Sequence, residues 1–305
     1  MKDSEHLFAL AHGWRHRGVA IVRLAFFAAV FFGAYVGLMA LLRTLTGARL
    51  TNGEQTTSLS ELLMVQGAFL LAVLAANASV LVVCRARPED LGVGSRARGR
   101  SLAWGAATGL VLMTALIGGL GFMGFVELSG PLLPLPEAVE NGAAFALMFV
   151  MVAFTEQGLM RGYALVQLSR ALSFWPAALI LSALFALGHL GNAAESWIGA
   201  VMAGIFGLIC AYSFRRSGAL WFAIGFHASW DYAQTFLFGV PDSGRVAPGA
   251  LERATLVGNA LWSGGAAGPE GSVFALIAML ALLIVVLRLD WRRAPERRNA
   301  WSLSG

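Results

Sequence analysis

Charge is what this sequence of 305 residues has least of: Asp, Glu, Lys and Arg together make up 13% of it. A soluble domain carries about twice that fraction, so a water-exposed globular surface is excluded for most of the chain. Cysteine is almost absent. Cys84 and Cys210 lie far apart, which rules against a disulfide framework and against a thiolate metal cluster. Histidine is scarce too, and three of the five (His6, His12 and His16) fall at the N-terminus. Residues 1–17 are polar and charged, without the pattern of a cleavable leader, and the apolar run that follows is long enough to span a bilayer. What the chain does have is apolar bulk: 58% hydrophobic residues and a mean hydropathy of +0.70.

A hydrocarbon core about 30 Å thick needs roughly 20 apolar residues in a helix. Eight segments meet or approach that length: 18–42, 60–84, 101–126, 143–168, 173–190, 195–214, 218–238 and 272–289. The expected fold class is all-α, a polytopic transmembrane helical bundle of about eight spans. Residues 1–17 would form an N-terminal tail, 18–290 the membrane domain, and 291–305 a basic C-terminal tail. No apolar-poor stretch is long enough for a separate soluble domain.

The net charge of +5 does not indicate a nucleic-acid partner, because the basic residues cluster beside apolar runs. Arg85, Arg87, Arg96, Arg98 and Arg100 fall in the second connection, Arg170 in the fourth, and Arg215 and Arg216 in the sixth. Lys2, Arg15 and Arg17 precede the first span, and Arg292, Arg293, Arg297 and Arg298 follow the last. Glu127, Glu137 and Glu140 mark the third connection and Glu195 the fifth, both without Lys or Arg. With an even span count all the basic clusters share one face, so both termini are expected in the cytoplasm of a multi-pass cell-membrane protein. Gly33 with Gly37 and Gly105 with Gly109 have the spacing that lets helices approach closely. The Gly- and Pro-rich stretch 239–271 reads as an outer connection, and Gly268-Pro269-Glu270-Gly271-Ser272 as the start of the last helix.

Ionisable groups inside a bilayer cost at least about 2.5–3.5 kcal/mol on insertion scales, so each needs a partner or a function. The deep ones are few: Glu156 and Arg161 on the fourth span, His189 on the fifth, His227 and Asp231 on the seventh. His227 and Asp231 are four apart and share a helix face, as do Phe185 and His189, and Gln157 and Arg161. Glu156, His189, His227 and Asp231 fall at overlapping depth on three spans, which is the pattern of a site. Taken singly, either histidine has a bland reading as a satisfied packing residue. Arg161 reads more simply as structural, capping carbonyls or reaching the cytoplasmic interface.

No nucleophilic Ser or Cys accompanies these groups; Ser229 falls on a different face from both His227 and Asp231. A carboxylate with two imidazoles suits activation of water, with Glu156 as general base and His189 positioning the water or carrying its proton. His227 and Asp231 would donate hydrogen bonds to an oxyanion, Asp231 only when protonated; otherwise Asp231 holds His227. No cofactor is required by this scheme. The same ligand types, His189 and His227 with Glu156 or Asp231, would also suit Zn²⁺ with an open position for water, although no zincin helix motif is present.

Three segments also resemble a known family. Glu156-Gln157-Gly158-Leu159-Met160-Arg161 resembles the E-E-x-x-x-R motif of the CPBP intramembrane proteases. Phe185-Ala186-Leu187-Gly188-His189 resembles its F-x-x-x-H motif, and His227-Ala228-Ser229-Trp230-Asp231 its H-x-x-x-N/D motif. That family includes the type II CAAX prenyl endopeptidases and bacterial relatives, some linked to bacteriocin self-immunity. The resemblance covers a core at 143–235, and the Gly-Pro-Glu-Gly-Ser run is similar to a feature of many bacterial members. It implies an eight-helix fold and glutamate-dependent peptide hydrolysis without an obligatory metal. The catalytic residues carried over are Glu156, His189, His227 and Asp231, with Gln157, Arg161 and Phe185 in support. One position departs: Gln157 stands where the family has its second Glu, so a neutral hydrogen bond to Arg161 is expected in place of an ion pair.

The expected function is therefore an intramembrane endopeptidase acting on a membrane protein or lipidated peptide at the bilayer. Two other classes use the same residues. A non-proteolytic scaffold or immunity-type protein would retain a degraded site, and a proton-coupled transporter would use Glu156 and His189 as a relay.

Overall fold

The computed structural model describes residues 2–46, 58–94, 98–131, 133–289 and 291, with side chains from residue 16 onward. The side chains of Lys2 and Arg15, Arg96, and the basic cluster at Arg292, Arg293, Arg297 and Arg298 lie outside the described residues.

Helices form at all eight apolar segments. They are α1 (Lys2–Thr46), α2 (Leu59–Val82), α3 (Arg98–Phe122), α4 (Leu135–Arg161), α5 (Tyr163–Leu172), α6 (Phe174–His189), α7 (Trp197–Ser217) and α8 (Trp221–Tyr232). The chain then adds a short α9 (Ala260–Ser263) and ends in α10 (Ala275–Arg288). Among the described residues, five helices are long and apolar enough to cross a membrane: His16–Thr46, Leu59–Val82, Arg98–Phe122, Leu135–Leu172 and Trp197–Ser217. The helices α6 and α10 are apolar but shorter, and α8 gains length from a π turn at Ala233–Leu237. Large apolar side chains such as Val22, Phe32, Leu74, Val111, Leu184 and Ile284 stand on the outside, as lipid-facing positions do.

Local chemistry sets the helix ends. Ser58 and Glu61 form a reciprocal capping box at the start of α2. Ser196 caps α7 by accepting from the Gly199 N–H, and Gly218 ends it at φ 77°. Residues 2–17, expected as a tail, continue α1 as one helix of 45 residues. The fourth apolar segment differs most from expectation. Its helix begins at Leu135, with Pro136 in the first turn, and breaks at Gly162, where α5 departs in a new direction. A Cβ at Gly162 would press on the Gly158 and Leu91 carbonyls, so glycine permits the break.

The connections facing away from the basic clusters hold a small sheet that the apolar pattern does not announce. Strand β1 (Val126–Pro131) pairs antiparallel with β2 (Glu252–Leu256), Val126 opposite Leu256 and Leu128 opposite Ala254. The register slips between Leu128 and Pro131. From this ribbon Leu251 N–H donates to Phe236 O at 2.7 Å and Ala254 N–H to Phe238 O at 2.8 Å. These bonds tie the outer loops to the end of α8.

The position of α8 is fixed by its crossing with α3, where glycine removes the bulk that would separate the backbones. A Cβ at Gly105 would run into the Phe222 carbonyl, and one at Gly109 into Phe226 O and Ser229 Oγ. On the other side Gly225 lies against the Leu102 carbonyl. Gly105 and Gly109 thus make the close approach expected of them. Gly33 and Gly37 do not, since a Cβ at either meets open space.

These two pairs should separate by mutation. Gly105→Ala and Gly109→Ala should each destabilise the folded protein by about 1–3 kcal/mol through overpacking, read as lowered thermal midpoints in detergent. Gly33→Ala and Gly37→Ala should be neutral or slightly stabilising.

Candidate active site

Three helices converge where the polar residues lie. Helix α4 carries Glu156, Gln157 and Arg161, α6 carries Phe185 and His189, and α8 carries His227 and Asp231. The imidazole of His227 is the meeting point. Its Nε2 lies 3.7 Å from Glu156 Oε2 and 3.3 Å from Asp231 Oδ2. Its Nδ1 lies 3.2 Å from Gln157 Nε2. The Phe206 ring of α7 meets the imidazole edge-on, with centroids 5.1 Å apart. A gap of 3.7 Å is too long for a direct hydrogen bond and has the length at which a bridging water is the natural question.

His189 is held differently. Its Nδ1 lies 2.8 Å from the Phe185 carbonyl oxygen. A carbonyl only accepts, so Nδ1 carries a proton and the neutral ring keeps its lone pair on Nε2. The Phe185 ring packs against the imidazole as expected, with centroids 4.4 Å apart. His189 is also near enough to Glu156, Asp242 and Glu195 for their charges to interact.

Two expectations about α4 are corrected. Gln157 does not hydrogen-bond Arg161, because its amide turns to His227 on the neighbouring helix. Arg161 neither caps carbonyls nor reaches an interface. It is 1% exposed, with its guanidinium carbon 4.0 Å from the centroid of the Phe185 ring. Its two terminal nitrogens have no hydrogen-bond partner among the described residues. The ring's negative face takes the place of a carboxylate. Room for the guanidinium comes from Gly207 on α7, where a Cβ would collide with it.

A half-open cavity of about 50 Å³ adjoins His189, His227 and Asp231, with Glu156 behind His227 and outside its lining. That is space for a few waters, since one water needs about 10–15 Å³ on this measure. One wall is apolar, formed by Phe206, Phe226, Trp230 and Met279, among others. The polar wall has His189, His227 and Asp231, joined by Asp242, Ser243 and Glu270 from the outer loops. Sequence reasoning missed these last three. In the sequence Glu270 reads as a first-turn acid at the start of the last helix, and the Gly-Pro-Glu-Gly-Ser run is its only signal. Instead its carboxylate accepts from the Ser243 N–H at 2.5 Å, the Ser243 hydroxyl at 3.2 Å, and the Gln234 side-chain amide. Thr235 Oγ1 donates to Asp242 Oδ2 at 3.3 Å. Asn192 Nδ2, beyond the end of α6, donates to Ser243 O at 2.8 Å. The turn 241–245 is thereby strapped across the outer side of the cavity.

The donor set does not group as a metal centre. Among the described residues no group of three or more His, Cys, Asp or Glu side chains has the arrangement that could hold a metal ion.

Residues 139–233 match the family model described as type II CAAX prenyl endopeptidase Rce1-like. The matched segment contains Glu156, Gln157, Arg161, Phe185, His189, His227 and Asp231, and it nearly coincides with the core expected at 143–235. The family resemblance carried by the three motifs is borne out. No curated protein and no solved structure matches the chain.

The strap has a titration of its own. Burial pushes the Asp242 carboxyl up from its ordinary 3.8 to about 6; the nearby Glu156 adds to the rise, while His189, the Thr235 hydrogen bond and Arg245 oppose it. Burial raises Glu270 as well. A carboxyl raised on folding favours the fold while protonated, and the benefit is lost as pH rises through the folded value. Thermal stability should therefore fall between pH 4 and pH 6. Asp242→Asn should unfold a few degrees higher than the parent at pH 7 and nearly with it at pH 4. Part of the slope should persist through Glu270. Melting curves across that range check both statements.

Proposed function

On the premise that residues 139–233 form an Rce1-like domain of a CAAX-type endopeptidase family, we propose that this chain cleaves membrane-associated substrates with a water activated by Glu156. The observation that carries the reading is the convergence of the Glu156 and Asp231 carboxyls on His227 Nε2, beside a cavity of water size.

In this reaction Glu156 takes a proton from water as the oxygen attacks the scissile carbonyl. A C–O bond forms and the carbonyl becomes a tetrahedral oxyanion. His227 donates from Nε2 to that oxyanion, and Asp231 holds the ring or, when protonated, donates beside it. The C–N bond then breaks, and the proton passes to the leaving amine from Glu156 or through the Nε2 lone pair of His189. The support for His189 as carrier is its tautomer, fixed by the bond to Phe185 O. Arg161 and Phe185 hold that helix turn in place and touch no reacting atom.

The substrate is a membrane protein or a lipidated peptide, since the apolar helices set the site within a membrane protein. The basic clusters at Arg85 and Arg87 and at Arg215 and Arg216 support a cytoplasmic side for both termini. One observation favours a second reading, a partner-binding protein without turnover: Gln157 stands where the resemblance has a glutamate.

Peptide cleavage by purified protein in detergent or liposomes separates the two. Glu156→Ala and His227→Ala should each lower the rate by about 100-fold or more while leaving the fold intact. Treatment with a chelator should leave it unchanged. Equal rates in parent and both variants would sink the proposal.

A further inference from the structure

The chemistry proposed above requires His227 to present an N–H, not a lone pair, at Nε2. A neutral imidazole has one proton, and which nitrogen holds it is set by whatever the other nitrogen meets. Here the other nitrogen meets the Gln157 side-chain amide, with Nε2 of the amide 3.2 Å from Nδ1 of the ring.

The two sides of that amide differ. Arg161, one turn along the same helix, makes no hydrogen bond to it: the terminal nitrogens of the guanidinium and the amide oxygen are each buried without a partner among the described residues. The sulfur of Cys210 on α7 lies toward the donor end of the amide, and an NH₂ has two protons, enough for the sulfur and a ring nitrogen together. It is the NH₂ end of Gln157 that faces the ring. Pointed so, Gln157 donates to Nδ1, and the ring proton belongs on Nε2, facing Glu156 and Asp231.

We propose that Gln157 is a positioning residue that fixes His227 in its neutral Nε2–H form, so that the oxyanion donor exists without protonating the ring. The inference rests on the proposed hydrolysis for its purpose, but not for its geometry. A carboxylate at position 157, as in the family motif, would reverse the assignment. It can only accept, so it would draw the proton of a neutral ring to Nδ1 and leave a lone pair at Nε2. Donation from Nε2 would then require the imidazolium. The departure from the motif, on this account, changes the protonation state in which the site works and does not abolish it.

Charged and titratable groups surround His227 on several elements. They are Glu156 and Arg161 on α4, His189 on α6, Cys210 on α7, Asp231 on its own helix, and Asp242 and Glu270 on the outer strap. None of them contacts Nδ1 in place of Gln157. His189 and His227 hold opposite tautomers as a result: His189 offers the cavity a lone pair, and His227 offers it a proton.

The test uses the full chain with ¹⁵N-labelled histidine in micelles, His227 signals being assigned by their loss in His227→Asn. In the parent, Nδ1 should give the shift of an unprotonated nitrogen and Nε2 that of a protonated one. In Gln157→Glu, Nδ1 should become protonated. A parent ring protonated at Nδ1, or unchanged signals in Gln157→Glu, would overturn the inference. A second arm reads cleavage against pH. Gln157→Glu should fall about 100-fold below the parent where His227 is neutral, the cost typical of one lost oxyanion donor, and recover as pH is lowered. A constant ratio at all pH values would mean that Gln157 merely packs, and would also overturn the inference. If Gln157→Glu does not fold, the parent's nitrogen signals still decide. They decide even for a parent that cleaves nothing, so failure of this inference and failure of the protease reading are separate results.

Discussion

A polar side chain inside a bundle surrounded by lipid has no solvent to turn to, and the whole arrangement around His227 follows from that constraint. Each buried polar group must find another protein group at its own depth or remain unpaired at a cost of several kcal/mol. The three helices meet that demand jointly. Gln157 passes over its own-helix neighbour to reach Nδ1 of His227, the Asp231 and Glu156 carboxyls close on Nε2, and His189 bonds its own helix backbone. Arg161 is the limiting case. With no carboxylate within ion-pair distance among the described residues, it lies on an aromatic ring, which keeps a cation buried behind the site. A carboxylate beside the guanidinium would have competed for the amide that His227 uses.

Much of the fold was legible because the bilayer imposes its length on any helix that crosses it. The eight apolar runs became helices, and scarcity of charge was enough to find them. The ends were less legible. Nothing in the hydropathy of 143–168 marks a break at Gly162, since a glycine within a membrane helix is ordinary and only the approach of the Gly158 and Leu91 carbonyls requires one there. The same limit separates two glycine pairs with identical spacing. Gly105 and Gly109 face the α8 backbone while Gly33 and Gly37 face open space, and spacing within one helix carries no information about what lies across from it. The β1–β2 ribbon is hard to read in the sequence because its strands are only six and five residues long, and the Val-Glu-Leu-Ser alternation of β1 stops at Gly130 and Pro131.

The site divides along the same line. Glu156, His189, His227 and Asp231 could be picked out because ionisable residues at that depth are rare, so rarity itself served as the signal. Asp242, Ser243 and Glu270 could not, because acids and serines in an outer loop are common and cost nothing when solvated. Only the folded chain shows that the loop turns inward and removes them from water. Partner choice was the weakest inference from sequence. Helical periodicity correctly paired Phe185 with His189 and His227 with Asp231, and wrongly paired Gln157 with Arg161. Residues four apart are able to meet, but which partners another helix presents decides whether they do.

The π turn at the end of α8 connects these two halves. In a regular α-helix successive side chains diverge by about 100°, and here the neighbours Gln234 and Thr235 serve one loop. The wider turn at Ala233–Leu237 lets Gln234 reach Glu270 and Pro241 while Thr235 reaches Asp242. Asp231 and His227 lie one and two turns before it on the same helix. The strap is therefore anchored to the helix that carries both residues, and also, through Asn192 and Ser243, to the chain just beyond His189. A displacement of the strap would reach both imidazoles through covalent neighbours, without a relay of packed side chains. That makes the outer loops part of the cavity wall in the mechanical as well as the geometric sense. π turns recur near functional sites, and this one carries the two side chains that hold the loop acids Glu270 and Asp242.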